Sequence, residues 1–307
     1  MSKFRAALVA FMTAVSVVSC AKYEDAPQKE SPIEVSAGVE LTRAGYSGVE
    51  VLPEMFVMDI LQNDDQKYDY KNVWMVKNDG LITYSPESGK RMLWAGTSYG
   101  NVKVKAMTLP YEDRFDANYY FYASVSRDQS TDSEVLASDL LVATTEAGDI
   151  AINDGRIRIN FKHLFSKLEI KYVLGGGLKE EDVTIYSATM KDICVGGYYT
   201  YKDMAFRNDL LTSNDDVIMY HNAADKQYEV LFYPYVPQSN PTLNIHAKVL
   251  GIERVLTCAI VPGAAGFESG KRYTLKVTVT SGAVTPAGTT IASGWAPVVN
   301  ENTFVTE

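Results

Sequence analysis

The chain has 307 residues, a formal net charge of −9 at neutral pH and 46% hydrophobic residues. An acidic chain repels phosphate backbones, so this composition argues against a nucleic-acid-binding protein. The length favours two domains when it is used as a prior, and the hydrophobic fraction is sufficient for packed cores. The 20 tyrosines, with frequent valine and threonine, favour β-strands.

The first predicted element is a secretory signal at residues 1–19. Lys3 and Arg5 supply positive charge, and an apolar run of 13 residues follows them. Spanning a bilayer takes about 20 residues, so this run is too short for a membrane helix. It has the length of the apolar region of a signal peptide, and it ends at Ser19 and Cys20.

Val17, Val18 and Ser19, directly before Cys20, resemble the lipobox of bacterial lipoproteins. The resemblance implies cleavage between Ser19 and Cys20 and acylation of the new N-terminal cysteine, with palmitate as an expected chain. Acyl chains would then hold the protein at a membrane. An ordinary signal peptide with an incidental cysteine is the alternative.

Residues 20–32 are predicted to form a solvated tether, because they are rich in charge and proline and show no apolar periodicity. Their segment KYED is similar to the acidic tags that direct lipoproteins to the outer face of the outer membrane in Bacteroidetes. The chain that remains after loss of residues 1–19 has a formal charge of −11.

Alternation of apolar and polar residues predicts a strand at residues 33–41. Its apolar face consists of Ile33, Val35, Ala37, Val39 and Leu41.

The same alternation predicts strands at residues 101–109, 155–163 and 272–280, each with one buried and one exposed face. Helical periodicity is scarce. The best candidate is DSEVLASDLL at residues 132–141, with Asp132 or Ser133 as its N-cap.

Many short strands with turns between them predict an all-β protein made of two tandem antiparallel β-sandwiches. The polar, glycine-containing stretch at residues 144–155 is the predicted boundary. It gives an N-terminal sandwich at residues 33–150 and a C-terminal sandwich at residues 151–307.

Catalytic motifs lack the context that they need. GTSYG at residues 96–100 matches the pattern of a nucleophile elbow, but the sequence after it alternates as a strand where the elbow requires a helix. His163, His221 and His246 stand singly without metal-ligand spacing. The acidic stretch at residues 63–69 lacks the glycine and spacing of a calcium loop. We therefore expect no enzyme activity, cofactor or metal.

Two aromatic clusters admit two interpretations. NYYFYAS at residues 118–124 and GGYYTY at residues 196–201 could form a platform on which sugars stack, or they could be ordinary core and sheet-covering residues. Two cysteines remain after processing. Cys194 and Cys258 could pair in an exported protein, or both could be buried thiols.

Several segments resemble the fimbrillin-like proteins of Bacteroidales, which are subunits and accessory proteins of surface fimbriae. Residues 94–111 resemble the family's tryptophan followed by a strand, and residues 138–148 its D-L-L-x-A segment. Residues 270–279, and the segment that ends at Trp295, resemble the closing strand and the late tryptophan. The strongest match is the order F-x-H-x-x-S-K-L, carried by Phe161, His163, Ser166, Lys167 and Leu168.

The resemblance implies two transthyretin-like sandwiches and a fimbrial structural or adhesive subunit. In the family an arginine-specific protease cuts after the first strand, and a donor strand from the next subunit fills the groove. The matching position here is Arg43 before Ala44, two residues beyond the predicted strand at residues 33–41. The alternative is that this strand permanently completes the sandwich and Arg43 is an ordinary surface arginine. We interpret His163 and Lys167 as structural, with the histidine bonded locally within the second domain.

The resemblance also implies other fimbrial subunits as partners, a host or bacterial surface ligand, and a location at the outer membrane, the cell surface and the fimbrium. Residues 282–307 could supply a donor strand, or they could be the last strand of the second domain with a tail. The alternative function is a permanently anchored surface lipoprotein that binds a glycan or protein ligand.

Overall fold

The structure is a computed structural model. It describes residues 31–39, 55–62, 69–78, 81–84, 92–96, 99, 101–108, 120–207, 212–223, 226–292 and 301–302.

The described residues form an all-β protein with three sheets and one α-helix. The strands of the first half are β1 Glu34–Val39, β2 Met55–Gln62, β3 Tyr70–Asn78, β4 Leu81–Tyr84, β5 Val102–Thr108, β6 Tyr120–Ser124, β7 Leu141–Thr144, β8 Ile150–Asn153 and β9 Arg156–His163. The helix α1, Asp132–Ser138, lies between β6 and β7.

Strands continue through the second half, interrupted by a 3-10 turn at Glu180–Asp182. They are β10 Ser166–Leu174, β11 Val183–Thr200, β12 Ala205–Arg207, β13 Ser213–Ile218, β14 Tyr220–Asn222, β15 Gln227–Phe232, β16 Thr242–Val249, β17 Ile252–Ala259, β18 Arg272–Val279, β19 Val284–Ala292 and β20 Glu301–Asn302.

The first sheet has the order β1-β9-β7-β5-β2-β3-β4, with β8 also paired to β9. Alternation in the sequence is matched by alternation in burial, since Ile157, Ile159 and Phe161 of β9 are buried between exposed neighbours. The sheet is strongly curved. Phe56 of β2 packs edge-on against Phe161 with ring centroids 5.2 Å apart, although β7 and β5 separate their strands in the sheet order.

The second and third sheets face each other. The second has the order β14-β15-β10-β18-β19-β20; the third has the order β12-β11-β16-β17, with β6 and β13 also paired to β11. Side chains from both sheets share one hydrophobic core, which includes Ile170, Val230, Leu243 and Leu275. The prediction of an all-β sandwich fold is confirmed.

Two features of the pairing were not predicted. β1 pairs with β9 in parallel, and β10 pairs with β18 in parallel, whereas the sequence predicted antiparallel sandwiches. Alternation encodes which face of a strand is buried, and it carries no information on the direction of the neighbouring strand.

The sheets do not divide at the predicted boundary. The position 150/151 falls inside β8, which pairs with β9 of the first sheet. β6 lies earlier in the chain, yet it pairs with β11 of the third sheet. The chain therefore contributes β6 to the third sheet at residue 120 and then returns to the first sheet with β7, β8 and β9. Its last residue in the first sheet is residue 163.

Contacts between the first and third sheets involve Lys105 of β5. Its Nζ atom donates to the carbonyls of Tyr201 and Lys202 at 3.1 Å and 3.3 Å, and the Tyr201 hydroxyl donates back to the Lys105 carbonyl at 3.2 Å. The Lys105 ammonium also lies 4.4 Å from the centre of the Tyr201 ring and 3.6 Å from the Asp59 carboxylate. These reciprocal contacts join β5 to the end of β11.

Helix α1 forms where the sequence predicted it. The side chain of Thr131, not of Asp132 or Ser133, accepts the hydrogen bond from the Glu134 amide and is the N-cap. Threonine is among the residues that favour this position. In the described part of the chain, no helix combines the length and apolar character needed to cross a membrane.

Candidate functional site

The site that we consider is the edge of the first sheet occupied by β1. Six residues of β1 pair in register with β9, from Glu34 opposite Arg156 to Val39 opposite Phe161. The start of the strand is held on its other side, where the Ile33 amide donates to the Met92 carbonyl at 3.0 Å. Apart from this bridge, no described strand pairs with the outer edge of β1.

One side of β1 belongs to the first core. Ile33 is 3% exposed, and Val35 and Ala37 are half-buried against the same cluster. Three of the five side chains that the sequence predicted to face inward, Ile33, Val35 and Ala37, therefore face the core. Val39 is the last residue of β1, while Leu41 lies outside the described residues.

The other side of β1 faces solvent. The Arg156 guanidinium donates from Nε to the Glu34 carboxylate at 2.9 Å, and both side chains are at least half exposed. Ser36, also exposed, donates to the Ile157 carbonyl at 3.4 Å. Exposed ion pairs of this kind add little to stability, so β1 is held chiefly by its backbone bonds and its apolar side.

A tryptophan braces the core next to this edge. The Trp94 indole donates to the Gly155 carbonyl at 2.8 Å and packs on the Tyr99 ring at 4.6 Å. Gly155 adopts a positive φ of 75°, which glycine favours in the turn between β8 and β9. The aromatic pair thus fixes the turn from which β9 starts.

Lys167, one of the family-motif residues, has a structural position in the second sheet. Its side chain is 0% exposed and lies 2.7 Å from Glu229 and 3.3 Å from Glu169, while Arg272 lies 3.5 Å from Glu169. We call Lys167, Glu169, Glu229 and Arg272 the buried charge cluster. Two cations and two carboxylates compensate one another there, as buried charges must.

His163 and Ser166 also make internal contacts. The Nδ1 atom of His163 lies 2.9 Å from the carboxylate of Asp139, and Ser166 donates to the Glu268 carbonyl at 2.8 Å. His163 ends β9, so its hydrogen bond joins the first sheet to the segment after α1. The prediction that His163 bonds within residues 151–307 is therefore wrong, because its partner is Asp139. The side chain does make a structural contact, as predicted.

The two aromatic clusters of the sequence come together, because β6 pairs with β11 and sets Tyr122 opposite Tyr198. Phe121 and Tyr199 point into the core, with their rings 5.6 Å apart, whereas Tyr122 and Tyr198 lie on the outer face. Pairing of strands from distant parts of the chain was not visible in the sequence.

The remaining histidines stand apart from one another. His221 stacks on Tyr228 at 4.7 Å, and His246 lies 5.2 Å from Tyr186. Among the described residues there is no group of three side chains that could hold a metal ion. Of the GTSYG stretch, Ser98 lies outside the described residues, and the element that follows it is strand β5.

The two cysteines are free and buried in the core of the second and third sheets. Burial raises the pKa of the Cys194 thiol to about 11 and also raises the pKa of the Cys258 thiol. Of the two alternatives that the sequence left open, buried thiols are observed.

Several predicted sites lie outside the described residues. They are Ser19, Cys20, Arg43, Ala44 and the acidic stretch at residues 63–68. Part of the C-terminal segment at residues 282–307 forms β19, which pairs with β18.

Comparisons with known proteins agree with these observations. The sequence model of the fimbrillin-like family matches residues 54–295. No curated protein matches the chain.

Solved structures share the fold at low identity. A "putative cell adhesion protein" from Bacteroides uniformis is 13% identical, with 87% of this chain and 98% of that chain covered at a TM-score of 0.58. One of the same description from Bacteroides ovatus is 14% identical, with 91% and 100% covered at a TM-score of 0.58.

Proposed function

Because the chain belongs to the fimbrillin-like family, we propose that it is a fimbrial structural or adhesive subunit, exported as a lipoprotein and joined to its neighbours by strand exchange. Family membership supports a cell-surface role in association with fimbriae, with other fimbrial subunits as partners and without catalysis. In this proposal the chain is cut behind Ser19, and acylated Cys20 carries the precursor to the outer membrane.

The observation that carries the proposal is the position of β1. It is an edge strand with one strand neighbour, a partly buried apolar side and a solvent-exposed polar side. A strand in this position can leave without breaking the order of the remaining strands. Its departure would expose the hydrogen-bonding groups of β9 on that edge, which an incoming strand can satisfy by β-augmentation.

The interaction energies of β1 are compatible with a strand that stays in place in the intact chain and is replaced by a donor strand after cleavage. Burying one large aliphatic side chain such as Ile33 contributes about 1.5–3 kcal/mol, so β1 stays in place while the chain is intact. Parallel pairing is slightly less stable per residue than antiparallel pairing. A donor that runs antiparallel to β9 would therefore make the better ladder, which favours exchange once β1 has been released.

Proteolysis supplies the release in this proposal. Arg43 follows the end of β1 by four residues, and cleavage before Ala44 would remove both the acyl anchor and the strand. The donor is proposed to come from residues 282–307 of another copy. In the structure this segment contributes β19, paired with β18, and β20, paired with β19, so it would have to leave that edge of the second sheet to act as a donor. We also propose that the chain forms two β-sandwiches and that β6 and α1 belong to the second of them.

A disulfide between β1 and β9 tests the proposal directly. Ser36 and Arg158 are register partners with exposed side chains, so the double variant Ser36→Cys/Arg158→Cys can form a bond across the pair. The oxidised variant should be cut but remain monomeric, and reduction should restore assembly. The buried native cysteines should not interfere.

A matched control places the bond elsewhere. Lys248 and Glu253 are exposed register partners on β16 and β17, and Lys248→Cys/Glu253→Cys should assemble whether oxidised or reduced. Equal assembly of the oxidised Ser36→Cys/Arg158→Cys variant would contradict strand exchange at this edge.

A permanently anchored, ligand-binding lipoprotein is the second candidate, and the outer pair of exposed Tyr122 and half-buried Tyr198 favours it. In that case the reduced variant would keep its acylated N-terminus and remain a monomer. The same experiment therefore separates the two functions.

A further inference from the structure

The outer face of the third sheet carries an aromatic corner where β6 pairs with β11. The register sets Tyr122 opposite Tyr198 and Ser124 opposite Gly196. Tyr122 is 38% exposed and Tyr198 is half-buried. A single exposed aromatic ring is ordinary on a protein surface, whereas two adjacent, partly exposed rings form a patch that can bind a ligand.

Gly196 creates the seat for the Tyr122 ring. A Cβ atom at residue 196 would lie 2.8 Å from Cε1 and 3.0 Å from Cζ of that ring, so the ring would have to move to make room for it. The ring therefore lies against the backbone of β11. Its hydroxyl reaches across to the Ser213 hydroxyl on β13, 2.6 Å away.

The Tyr198 ring stands beside the Tyr122 ring and nearly perpendicular to it. The rings of Tyr122 and Tyr198 have centroids 5.4 Å apart and planes at 82°. One face of the Tyr122 ring covers the strand, the other is turned away from the backbone, and the Tyr198 ring stands nearly perpendicular beside it. Together they make a corner with one flat and one upright aromatic surface.

The rim of the corner is polar. Ser124 is exposed on β6, Ser213 is half-buried on β13, and Arg207 on β12 is the register partner of Tyr198. The Ser124 and Ser213 hydroxyl groups thus border the aromatic pair, and polar groups next to an apolar surface are a combination found in sites that bind small polar molecules with apolar faces.

The inner face of the same strand shows what a purely structural tyrosine looks like. Gly197, the next residue, seats the Tyr233 ring at 2.6 Å from the position of a Cβ atom. Tyr233 is 0% exposed, and its hydroxyl donates to the Tyr198 carbonyl at 2.9 Å. Tyr233 lies against Gly197 and is fully buried in the core. Tyr122 lies against Gly196 in the same way, but its ring remains partly exposed to solvent.

We propose that Tyr122, Tyr198 and Gly196 form a binding site for a neutral pyranose saccharide. The flat face of a pyranose carries C–H bonds that pack well on the π face of an aromatic ring. The Tyr198 ring limits the position of the sugar ring, while the hydroxyl groups of Ser124 and Ser213 can bond to sugar hydroxyls.

One other aromatic-stacking ligand, a nucleic acid strand, fits less well for two reasons. A nucleic acid strand would bring phosphates to a chain of net charge −9, which disfavours it. Stacking of successive bases also needs parallel aromatic surfaces, and these two rings stand at 82°. A neutral sugar meets neither obstacle. The site lies on the third sheet and does not depend on exchange of β1.

The experiment is a titration of the full mature chain with neutral methyl pyranosides, namely the galactoside, glucoside, mannoside and N-acetylglucosaminide. Saturation-transfer NMR would report which sugar protons contact the protein. We expect at least one of them to bind, and Tyr122→Ala to weaken that binding about tenfold or more. Tyr122→Phe should bind within about threefold of wild type, because the stacking face remains.

Two further variants separate the site from general effects on the surface. Gly196→Ala should displace the ring and weaken binding although both tyrosines remain, while Tyr186→Ala removes another exposed tyrosine of the same sheet, 48% exposed, and should change nothing. Absence of binding for all four sugars, or binding unchanged in folded Tyr122→Ala, would overturn the proposal. Failure of strand exchange at β1 would leave this result unaffected.

Discussion

Two parallel strand pairs, β1 with β9 and β10 with β18, have the same hydrogen-bonding geometry and very different surroundings. β1 has one strand neighbour and shows its polar side to solvent, where Glu34 and Arg156 form an exposed ion pair. β10 lies between β15 and β18, and its polar side carries Lys167 within the buried charge cluster. Parallel pairing alone therefore does not decide whether a strand can be exchanged.

What separates the two strands is the cost of removing them. Withdrawing β1 breaks one ladder and an exposed ion pair, and exposed pairs contribute about 0–1 kcal/mol. Withdrawing β10 would break two ladders and remove Lys167 and Glu169 with the strand, which would leave Glu229 buried without Lys167 and Arg272 buried without Glu169. Loss of one partner from a buried ion pair costs about 3–5 kcal/mol. The first strand is suited to leave, and the other is fixed.

The largest effect is expected from Lys167→Met, which leaves two buried carboxylates short of a cation. Unfolding by urea should show a loss of about 3–5 kcal/mol in the free energy of unfolding. Lys171→Met changes an exposed lysine on the same strand and should cost less than about 0.5 kcal/mol. A loss below 1 kcal/mol for Lys167→Met would mean that the cluster does not fix β10.

A smaller effect is expected from Ile33→Ala in the uncut chain. Truncation of a buried isoleucine costs about 2–5 kcal/mol, with the low end expected at a sheet edge that can relax. Val255→Ala on β17, where the side chain is 61% exposed, is the matched control at another edge. If both variants unfold at the same urea concentration, β1 does not hold its apolar side in the core.

A pH effect is expected from Asp59, which is 4% exposed in β2. Burial raises the pKa of this carboxyl above its usual value, against the amide of Asn72 and the charge of Lys105, which lower it. An unfolded aspartate loses its proton near pH 4, while folded Asp59 keeps it to higher pH. Between the two pKa values the folded chain binds more protons, so stability falls as pH rises.

Asp59→Asn should remove this fall. The free energy of unfolding, measured at steps from pH 3.5 to pH 7, should decline less steeply for the variant than for wild type. Asp203→Asn changes an exposed carboxylate that lines the same cavity as Asp59 and Lys105, and it should leave the slope as it is. A slope that is identical in wild type and Asp59→Asn would contradict the assignment.

The smallest effect is expected from Arg156→Gln, which removes the exposed ion pair on β1. The cost should be less than about 1 kcal/mol and should shrink as salt is added. Lys103→Gln breaks another exposed pair, with Glu146, and should behave alike. A loss of several kcal/mol for Arg156→Gln would show that the polar side of β1 holds the strand, which would remove the contrast with β10.

Alternation allowed the strands β1, β5, β9 and β18 to be predicted within a few residues, and helical periodicity with a capping residue allowed helix α1 to be predicted. It worked because each strand has one face in a core, as the burial of Ile157, Ile159 and Phe161 shows. The direction of pairing and the assignment of β6 to the third sheet could not be predicted, because they depend on neighbours far away in the sequence.

Burial of polar residues was harder still to predict. Lys167 and Glu169 occupy positions that alternation marks as exposed, yet both are buried. The segment around α1 covers this region, where Gln129 bonds to both backbone groups of Leu231 at 2.8 Å. The residues that cover Lys167 lie some 40 positions earlier in the chain. Their effect on the burial of Lys167 therefore produces no periodic pattern in the sequence of β10.

The central claim is that β1 leaves the mature subunit and another strand takes its place. The most direct measurement is the intact mass and N-terminal sequence of the chain, taken separately from assembled fimbrial material and from the membrane-anchored monomer. We predict a chain beginning at Ala44 in the assembled material and acylated Cys20 in the monomer. Assembled material that begins at acylated Cys20 and retains residues 33–41 would contradict the claim.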